Sequence, residues 1–310
     1  MIYTCTISPS LDYTTYLDGF EVGSLNRASD VYYYPGGKGI NVSRVLARLG
    51  TGSKALGFTG GFTGQYIEDF LKEEGIETDF IKTDGITRIN VKIKTGVETE
   101  LNGPGPELDA QQLMQLKKKV EAMQQGDWLV LAGSLTGSIA PDYFAELAAL
   151  CQKQHVRFVV DTSGPALKDL IRSSPFLIKP NLEELGELFG QTIAGPDDAL
   201  SYARELNRMG IGHVVVSMGG QGALLVADGL ALLAEAPQGK AVNTVGAGDS
   251  LVSGFIASYA LHEDAERAFR YGVASGSATA FSTDLCTKEA VEDLLGKVKI
   301  TPIQEKDVAK

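Results

Sequence analysis

The sequence predicts an α/β fold in which helices cover both faces of a mostly parallel central sheet. Short apolar runs typical of buried strands alternate with helical patterns along most of the chain. Two segments, about 12–34 and 87–101, show strand-type alternation with no helix between their strands, which predicts a small antiparallel sheet, here called the β lid. No repeat or flexible linker separates two domains, so we expect one domain over 1–310 with the β lid inserted into it.

The individual elements follow from the spacing of apolar residues. Apolar runs predict buried strands at 2–7, 54–58, 128–132, 157–161, 176–178 and 213–217. Helical periodicity predicts helices at 41–49, 64–74, 109–125, 141–154, 197–209, 248–261, 265–281 and 288–295. The third helix begins with Asp109 and Gln112 at the spacing of a capping box. In folds of this class, ligands bind beyond the carboxyl ends of the strands.

The composition limits the classes of function. The chain has 310 residues, 44% of them hydrophobic, and a net charge of -11, so it would repel nucleic acid at long range. No apolar run reaches the roughly 20 residues of a membrane-spanning helix, and the first residues lack a signal-peptide pattern. We therefore expect a cytoplasmic protein with neither nucleic acid nor membrane as a partner. Three widely separated cysteines favour small buried residues over a disulfide framework or a zinc site.

Glycine is enriched, with 36 residues among 310 against an average of roughly 7%. The strongest cluster reads NTVGAGDS at 243–250 and precedes an apolar helix. Small residues at a helix start leave unpaired amide N–H groups that attract anions. Asp249 would lie in the first turn, where it either complements the helix dipole or accepts a proton from an attacking hydroxyl.

Two further glycine clusters read PGGKGINVS at 35–43 and SMGGQG at 217–222. Each alone fits an ordinary turn. Neither is a nucleotide P-loop, and no GxGxxG opens a strand–helix unit near the N-terminus, which disfavours a dinucleotide-dependent oxidoreductase. Because all three clusters lie beside predicted strand ends, they predict a single cleft along one edge of the sheet.

These runs resemble the signatures of the ribokinase-like, or PfkB-type, carbohydrate kinases. GGKGINVS at 36–43, with Gly50 and Gly60 downstream, is similar to the first signature, and 243–256 is similar to the second. Between them, KPNLEE at 179–184 resembles the family's nucleotide and magnesium segment. The resemblance extends over about 2–295. It implies a ribokinase-like fold that uses ATP and Mg²⁺ to phosphorylate a sugar.

The resemblance also assigns roles in the chemistry. Asp249 would be the general base, and the amides of Gly246, Ala247 and Gly248 would stabilise the transferred phosphoryl group. The implied ATP and Mg²⁺ ligands are Lys179, Asn181, Ser217, Gly219, Gly222 and Ser275 for the nucleotide, and Glu184 with Asn181 for the metal through water. Without the family, Glu184 is an ordinary solvated helix carboxylate.

On the sugar side, the resemblance implies Asp12, Gly37, Lys38, Asn41, Arg88, Ser134 and Arg27 as substrate ligands. Asp12 would bind sugar hydroxyls, while Lys38 and Arg88 would hold a phosphate already on the sugar. Without the family, Asp12 is a turn aspartate and Arg88 an exposed strand residue. The β lid would close over the sugar and form a homodimer with a second lid.

The runs 33–44 and 101–106 are most similar to the phosphosugar branch of this family. That similarity implies phosphorylation of fructose 1-phosphate to fructose 1,6-bisphosphate, with tagatose 6-phosphate or fructose 6-phosphate as alternative acceptors. A non-catalytic sugar-phosphate sensor is the alternative from another class, although binding alone does not require Asp249. Ser8 stands where relatives commonly carry Asn, so we expect a hydrogen bond that orients Asp12 to be lost or replaced by water.

Overall fold

The computed structural model describes residues 1–134 and 139–303. Its strands are β1 (Ile2–Thr6), β2 (Ser10–Tyr16), β3 (Asp30–Gly36), β4 (Lys54–Thr59), β5 (Glu77–Thr78), β6 (Ile81–Lys82), β7 (Ile89–Lys94), β8 (Glu98–Asn102), β9 (Trp128–Ala132), β10 (Arg157–Asp161), β11 (Leu177–Ile178), β12 (His213–Ser217), β13 (Ala223–Ala227), β14 (Leu230–Glu235) and β15 (Lys299–Pro302). Its helices are α1 (Lys38–Arg48), α2 (Gly61–Glu73), α3 (Ala110–Glu121), α4 (Pro141–Lys153), α5 (Pro165–Leu170), α6 (Leu182–Phe189), α7 (Pro196–Arg208), α8 (Ala247–His262), α9 (Ala265–Ala280) and α10 (Lys288–Leu295).

The central sheet has the strand order β15-β14-β13-β12-β11-β10-β9-β1-β4-β5, and β6 also pairs with β4. Every pair from β12 through β1 to β5 and β6 is parallel. The three pairs from β12 to β15 are antiparallel. The mostly parallel sheet predicted from the sequence is therefore confirmed, and the carboxyl ends of its parallel strands share one edge.

The hydrophobic core lies on both faces of this sheet, as β9 shows. Leu129 and Leu131 pack into the core on one face, whereas Trp128 and Val130 pack into the core on the other. Successive side chains of a strand point to opposite faces, so a strand buried on both sides reads as a continuous apolar run. This burial explains why the central strands were recognisable from the sequence.

The predicted elements are all present, with ends shifted by a few residues. Helix α3 begins with the predicted capping box, in which Asp109 Oδ1 accepts from Gln112 N at 2.8 Å. Gln112 Oε1 in turn accepts from Asp109 N at 2.9 Å. Two amide groups that a helix start would leave unpaired are thus satisfied.

The β lid is a separate four-stranded sheet with the order β3-β2-β7-β8. Its outer pairs, β2 with β3 and β7 with β8, are antiparallel as predicted. The central pair, β2 with β7, is parallel, and this differs from the prediction. A parallel pair requires a long crossover connection, and here the chain passes through α1, β4 and α2 between the two strands.

The cysteines and the helices of the described residues can be compared with what the composition predicts. Cys5, Cys151 and Cys286 are free and buried, as predicted. Among the helices of residues 1–134 and 139–303, none is both long and apolar enough to cross a membrane.

Candidate active site

Asp249 lies where two helices that follow glycines meet. Helix α8 follows Gly246 at φ 77, and α1 follows Gly37 at φ 119, backbone angles that glycine adopts more readily than other residues. Asp249 is in the first turn of α8 and buried. Its Oδ2 accepts a hydrogen bond of 2.8 Å from Asn41 Nδ2 of α1. The structure therefore brings the first and second glycine clusters together.

The surroundings of Asp249 weaken its acidity. Burial raises the pKa of this carboxyl to about 6, with a further contribution from the negative charge of Asp161. The hydrogen bond from Asn41 and the positive charges of Lys38 and Lys179 act in the opposite direction. A carboxyl group with a pKa near 6 is a better proton acceptor at neutral pH than an ordinary aspartate.

Asp161 is a central member of this cluster that the sequence analysis treated only as the end of a strand. It lies at the carboxyl end of β10 with 1% of its surface exposed. Its Oδ1 is 3.2 Å from Lys38 Nζ and 3.4 Å from Lys179 Nζ. Although burial favours the neutral acid, Lys179 and Lys38 hold the pKa of Asp161 below its usual range. An acidic residue at the carboxyl end of a parallel strand was the available signal.

The start of α8 offers positive charge beside Asp249. A Cβ added to Gly248 would lie 3.1 Å from Lys179 Nζ, so this ammonium group packs directly against the first turn. The amide of Ala247 donates to Thr244 O at 3.2 Å, which commits one of the three predicted amides to a turn. The helix dipole and the lysine together make this position favourable for an anion.

The third glycine cluster forms one wall of an adjoining cavity of about 370 Å³. Its lining includes Ser217, Gly219 and Gly222 as well as Gly248 of α8. Opposite them, Gly276, Ala280 and Phe281 at the end of α9 provide an apolar wall. This cavity opens beside the anion-favouring turn, an arrangement that suits a nucleotide base and its phosphates.

Ser275 is not part of this cavity lining. Its side chain is fully buried, and its Oγ donates to Tyr271 O at 2.8 Å. A Cβ added to Gly254 of α8 would collide with Ser275 Oγ, so the serine packs where α8 and α9 cross. The next residue, Gly276, lines the cavity instead.

Asn181 and Glu184 form a reciprocal capping box at the start of α6. Asn181 Oδ1 accepts from Glu184 N at 2.7 Å, and Glu184 Oε2 accepts from Asn181 N at 2.9 Å. This leaves Glu184 Oε1 for other ligands. Because Mg²⁺ prefers oxygen ligands and keeps several waters, a carboxylate oxygen that the capping box does not use fits the ion. Within the described ranges, no three acidic, His or Cys side chains converge as a preformed metal cluster.

The β lid supplies the opposite side of the cleft through Asp12. Asp12 Oδ1 accepts from Ser10 Oγ at 2.7 Å and from Asn90 Nδ2 at 3.1 Å, and Oδ2 lies 3.1 Å from Lys92 Nζ. Asp12 is therefore oriented by residues of β2 and β7. Ser10 Oγ is a hydroxyl donor to Asp12, while the buried Ser8 Oγ has no hydrogen-bond partner in the described part of the chain.

A cavity of about 580 Å³ lies between the β lid and the body. Asp12 and Lys92 line its lid side, and Asn41 lines its body side beside Asp249. Lys92 was not among the predicted site residues. The alternation in RINVKIK places residues 90, 92 and 94 on one face of β7, and this pattern could have identified Lys92.

The structure does not bring the predicted phosphate-binding cations into one clamp. Lys38 points to Asp161, whereas Arg88 donates to Ser8 O at 3.0 Å and to Gly103 O at 3.2 Å. Burial lowers the pKa of Arg88, and its buried Nε has no partner among residues 1–134 and 139–303. The Arg88 guanidinium is thus held by two backbone carbonyls.

The remaining predicted ligands lie at the rim or outside the cluster. Ser134 is exposed after β9, beside Gly133, where an added Cβ would lie 3.7 Å from Lys38 N. Arg27 lies in the exposed connection between β2 and β3. In the described part of the chain, Arg27 contacts none of the other candidate residues by a hydrogen bond or ion pair.

The chain is similar to known proteins both in sequence and in fold. The model of the pfkB family carbohydrate kinases matches residues 7–290. The 1-phosphofructokinase of Bacillus subtilis is 50% identical over 301 residues, which cover 97% of this chain and 99% of the relative. The D-tagatose-1-phosphate kinase of Bacillus licheniformis is 35% identical, with 97% and 99% covered. A crystal structure of Escherichia coli phosphofructokinase-2 in complex with substrates and products has a TM-score of 0.91 at 33% identity, covering 95% of this chain and 98% of that chain.

Proposed function

Because the chain belongs to the pfkB family of carbohydrate kinases, we propose that it transfers the γ-phosphate of ATP to fructose 1-phosphate, giving fructose 1,6-bisphosphate. One observation carries the proposal. A buried carboxylate, Asp249, lies in the first turn of the anion-favouring helix α8, and its hydrogen-bond donor Asn41 lines the 580 Å³ cavity under the β lid. This is the arrangement that phosphoryl transfer to a hydroxyl requires, because nucleophile, base and phosphoryl group must be aligned.

In this proposal Asp249 accepts the proton of the sugar 6-hydroxyl. Asn41 holds one carboxylate oxygen, so the other oxygen can face the hydroxyl. Lys179, which packs against Gly248, and the amides of Gly246 and Gly248 stabilise negative charge on the phosphoryl group. The position of Asp249 also matters, since alignment and charge stabilisation contribute strongly to phosphoryl transfer.

ATP binds in the cavity of about 370 Å³, with its base against the wall formed by Gly276 and Phe281. Its phosphates extend toward Lys179 and the start of α8. Bound Mg²⁺ would neutralise charge on the phosphates, and Glu184 would hold it through water. Asn181 supports this site by fixing Glu184 through the capping box.

The sugar lies under the β lid. Asp12 binds its hydroxyls, Gly37 and Ser134 line the approach, and Arg88 supplies positive charge for the phosphate on C1. The 50% identical relative is named for fructose 1-phosphate phosphorylation, which favours that acceptor. The relative named for tagatose 1-phosphate supports a second candidate, a tagatose phosphate, because ketohexose phosphates share the polar groups described.

We extend the proposal to the organisation of the protein. Residues 1–310 form one kinase domain, and the β lid closes over the sugar to exclude water, which limits wasteful hydrolysis of ATP. The exposed Val31 and Tyr33, which lie on the same face of β3, give the lid an apolar face suited to a homodimer. Arg27, on the same exposed part of the lid, would then lie near that interface. The enzyme works in the cytoplasm.

The experiment is a comparison of acceptors. ADP formation with ATP and Mg²⁺ is measured for fructose 1-phosphate, tagatose 1-phosphate, tagatose 6-phosphate, fructose 6-phosphate and ribose. We expect the highest kcat/KM for fructose 1-phosphate. A higher value for another acceptor would reassign the substrate, and binding of sugar phosphate without turnover would favour the sensor alternative.

A further inference from the structure

Asp161 connects the two sides of the cleft through one buried oxygen. Lys38 comes from the start of α1, on the sugar side, and Lys179 comes from the segment between β11 and α6, on the nucleotide side. Both ammonium groups converge on Asp161 Oδ1, at 3.2 and 3.4 Å. The carboxylate is 1% exposed, so the low local dielectric strengthens both ion pairs.

The charges around Asp249 show what this arrangement prevents. Lys38 of α1 and Lys179 before α6 both act electrostatically on Asp249, as does Asp161 of β10, while Asn41 donates a hydrogen bond to it. Glu184 of α6 also acts on Lys38. Without Asp161, two ammonium groups would remain beside a single buried carboxylate. They would then pair with Asp249 and compete for the oxygen that must face the hydroxyl.

We propose that Asp161 is a positioning residue that holds Lys38 and Lys179 away from Asp249 and fixes both ammonium groups beside the path of the phosphoryl group. This inference deepens the proposed function and rests on it. Asp161 touches neither substrate in this role; it acts through the two lysines. The inference also places Lys38 at the reaction centre, rather than in a clamp on the phosphate that the sugar already carries.

The test begins with Asp161→Asn, which keeps the shape of the side chain and removes its charge. We expect kcat with fructose 1-phosphate to fall about 100-fold, since small displacements of aligned groups have effects of that size. The KM values for ATP and sugar should change much less. Asp79→Asn, which removes a carboxylate paired with Lys119 outside the site, is the matched control and should retain the unaltered kcat.

A second readout does not depend on turnover. In ¹³C NMR of side-chain carboxyls, we expect Asp249 to titrate near pH 6 in the unaltered protein. In Asp161→Asn its titration should move to lower pH, because a neighbouring negative charge is lost and the freed lysines favour the carboxylate. An unchanged titration together with an unchanged kcat would overturn the inference. Failure of the proposed function is seen separately, as absence of sugar phosphorylation by the unaltered protein.

Two variants of Lys38 keep the inference testable if Asp161→Asn does not fold. Lys38→Met removes one ion pair, whereas Lys38→Arg keeps a cation for Asp161. We expect Lys38→Met to lower kcat and Lys38→Arg to restore most of it. An increase in KM for the sugar phosphate, with kcat unchanged, would show a phosphate clamp instead and overturn the positioning role. If the double variant of Asp161→Asn and Lys38→Met folds, it should lose less than the product of the two single losses.

Discussion

The two sides of the cleft hold the proposed base, Asp249, and the proposed sugar ligand, Asp12, in different ways. On the body, Asp249 is surrounded by groups from α1, β10 and the segment before α6, all anchored to the central sheet. On the β lid, Asp12 is held by Ser10, Asn90 and Lys92, all from the lid sheet itself. The comparison teaches that the proposed reacting groups are fixed by elements of the central sheet, whereas the proposed sugar ligand is oriented by the lid alone and would move with it as a preassembled unit.

The largest effect should come from the body side. Asp249→Asn removes the proton acceptor while keeping the hydrogen-bonding shape, so we expect kcat to fall about 1000-fold, within the usual range for general base catalysis. KM for ATP should change little. Steady-state ADP formation measures both. The exposed Asp228→Asn is the matched control, and near-normal turnover by folded Asp249→Asn would falsify the base assignment.

A change on the lid side should mainly affect the sugar. Lys92→Met removes the ion pair that orients Asp12. A hydrogen bond to a charged group contributes about 1.5 kcal/mol, so the variant should hold Asp12 less firmly by about that amount. We therefore expect KM for the sugar phosphate to rise about tenfold, with KM for ATP unchanged. Lys92→Arg should recover part of the loss. Lys119→Met, on α3, is the control, and an equal rise in KM for both substrates would contradict a lid-specific role.

The apolar wall of the cavity proposed for ATP allows the corresponding experiment on the nucleotide side. Phe281 lies against the backbone of Gly239 and lines the smaller cavity. In Phe281→Ala, loss of this apolar surface should raise KM for ATP up to about tenfold, with little change in KM for the sugar. The exposed Phe62→Ala serves as control. A normal KM for ATP in folded Phe281→Ala would show that the adenine of ATP does not bind against Phe281.

The smallest effect on chemistry should follow from changing the outer face of the lid. Tyr33→Asp adds a charge to the exposed apolar face of β3, which we expect to dissociate the proposed homodimer. Sedimentation velocity measures the association state, with Leu261→Asp on the body as a comparably exposed control. If Tyr33→Asp sediments like the unaltered protein, the lid face is not the dimer interface.

The sequence predicted the parts of the molecule whose signals are local. Apolar runs identified the central strands because both faces are buried, and the glycine clusters identified turns that meet at one edge of the sheet. It did not identify Asp161 or Lys92, because their partners are distant in sequence. The ion pair of Asp161 with Lys38 joins residues 123 positions apart, and that of Lys92 with Asp12 depends on a parallel strand pair that was expected to be antiparallel.

The most direct test of Asp249 as the base on the body side of the cleft is the pH dependence of kcat/KM for fructose 1-phosphate. Burial and Asp161 raise the pKa of Asp249 to about 6, so the base becomes protonated as pH falls through this value. The sugar phosphate also titrates near pH 6, and dividing the profile by that of Asp249→Asn removes its contribution. We predict that this ratio is constant above about pH 7 and falls about tenfold per pH unit below about pH 6. A ratio that stays constant down to pH 4.5 would contradict the assignment of Asp249 as the buried base.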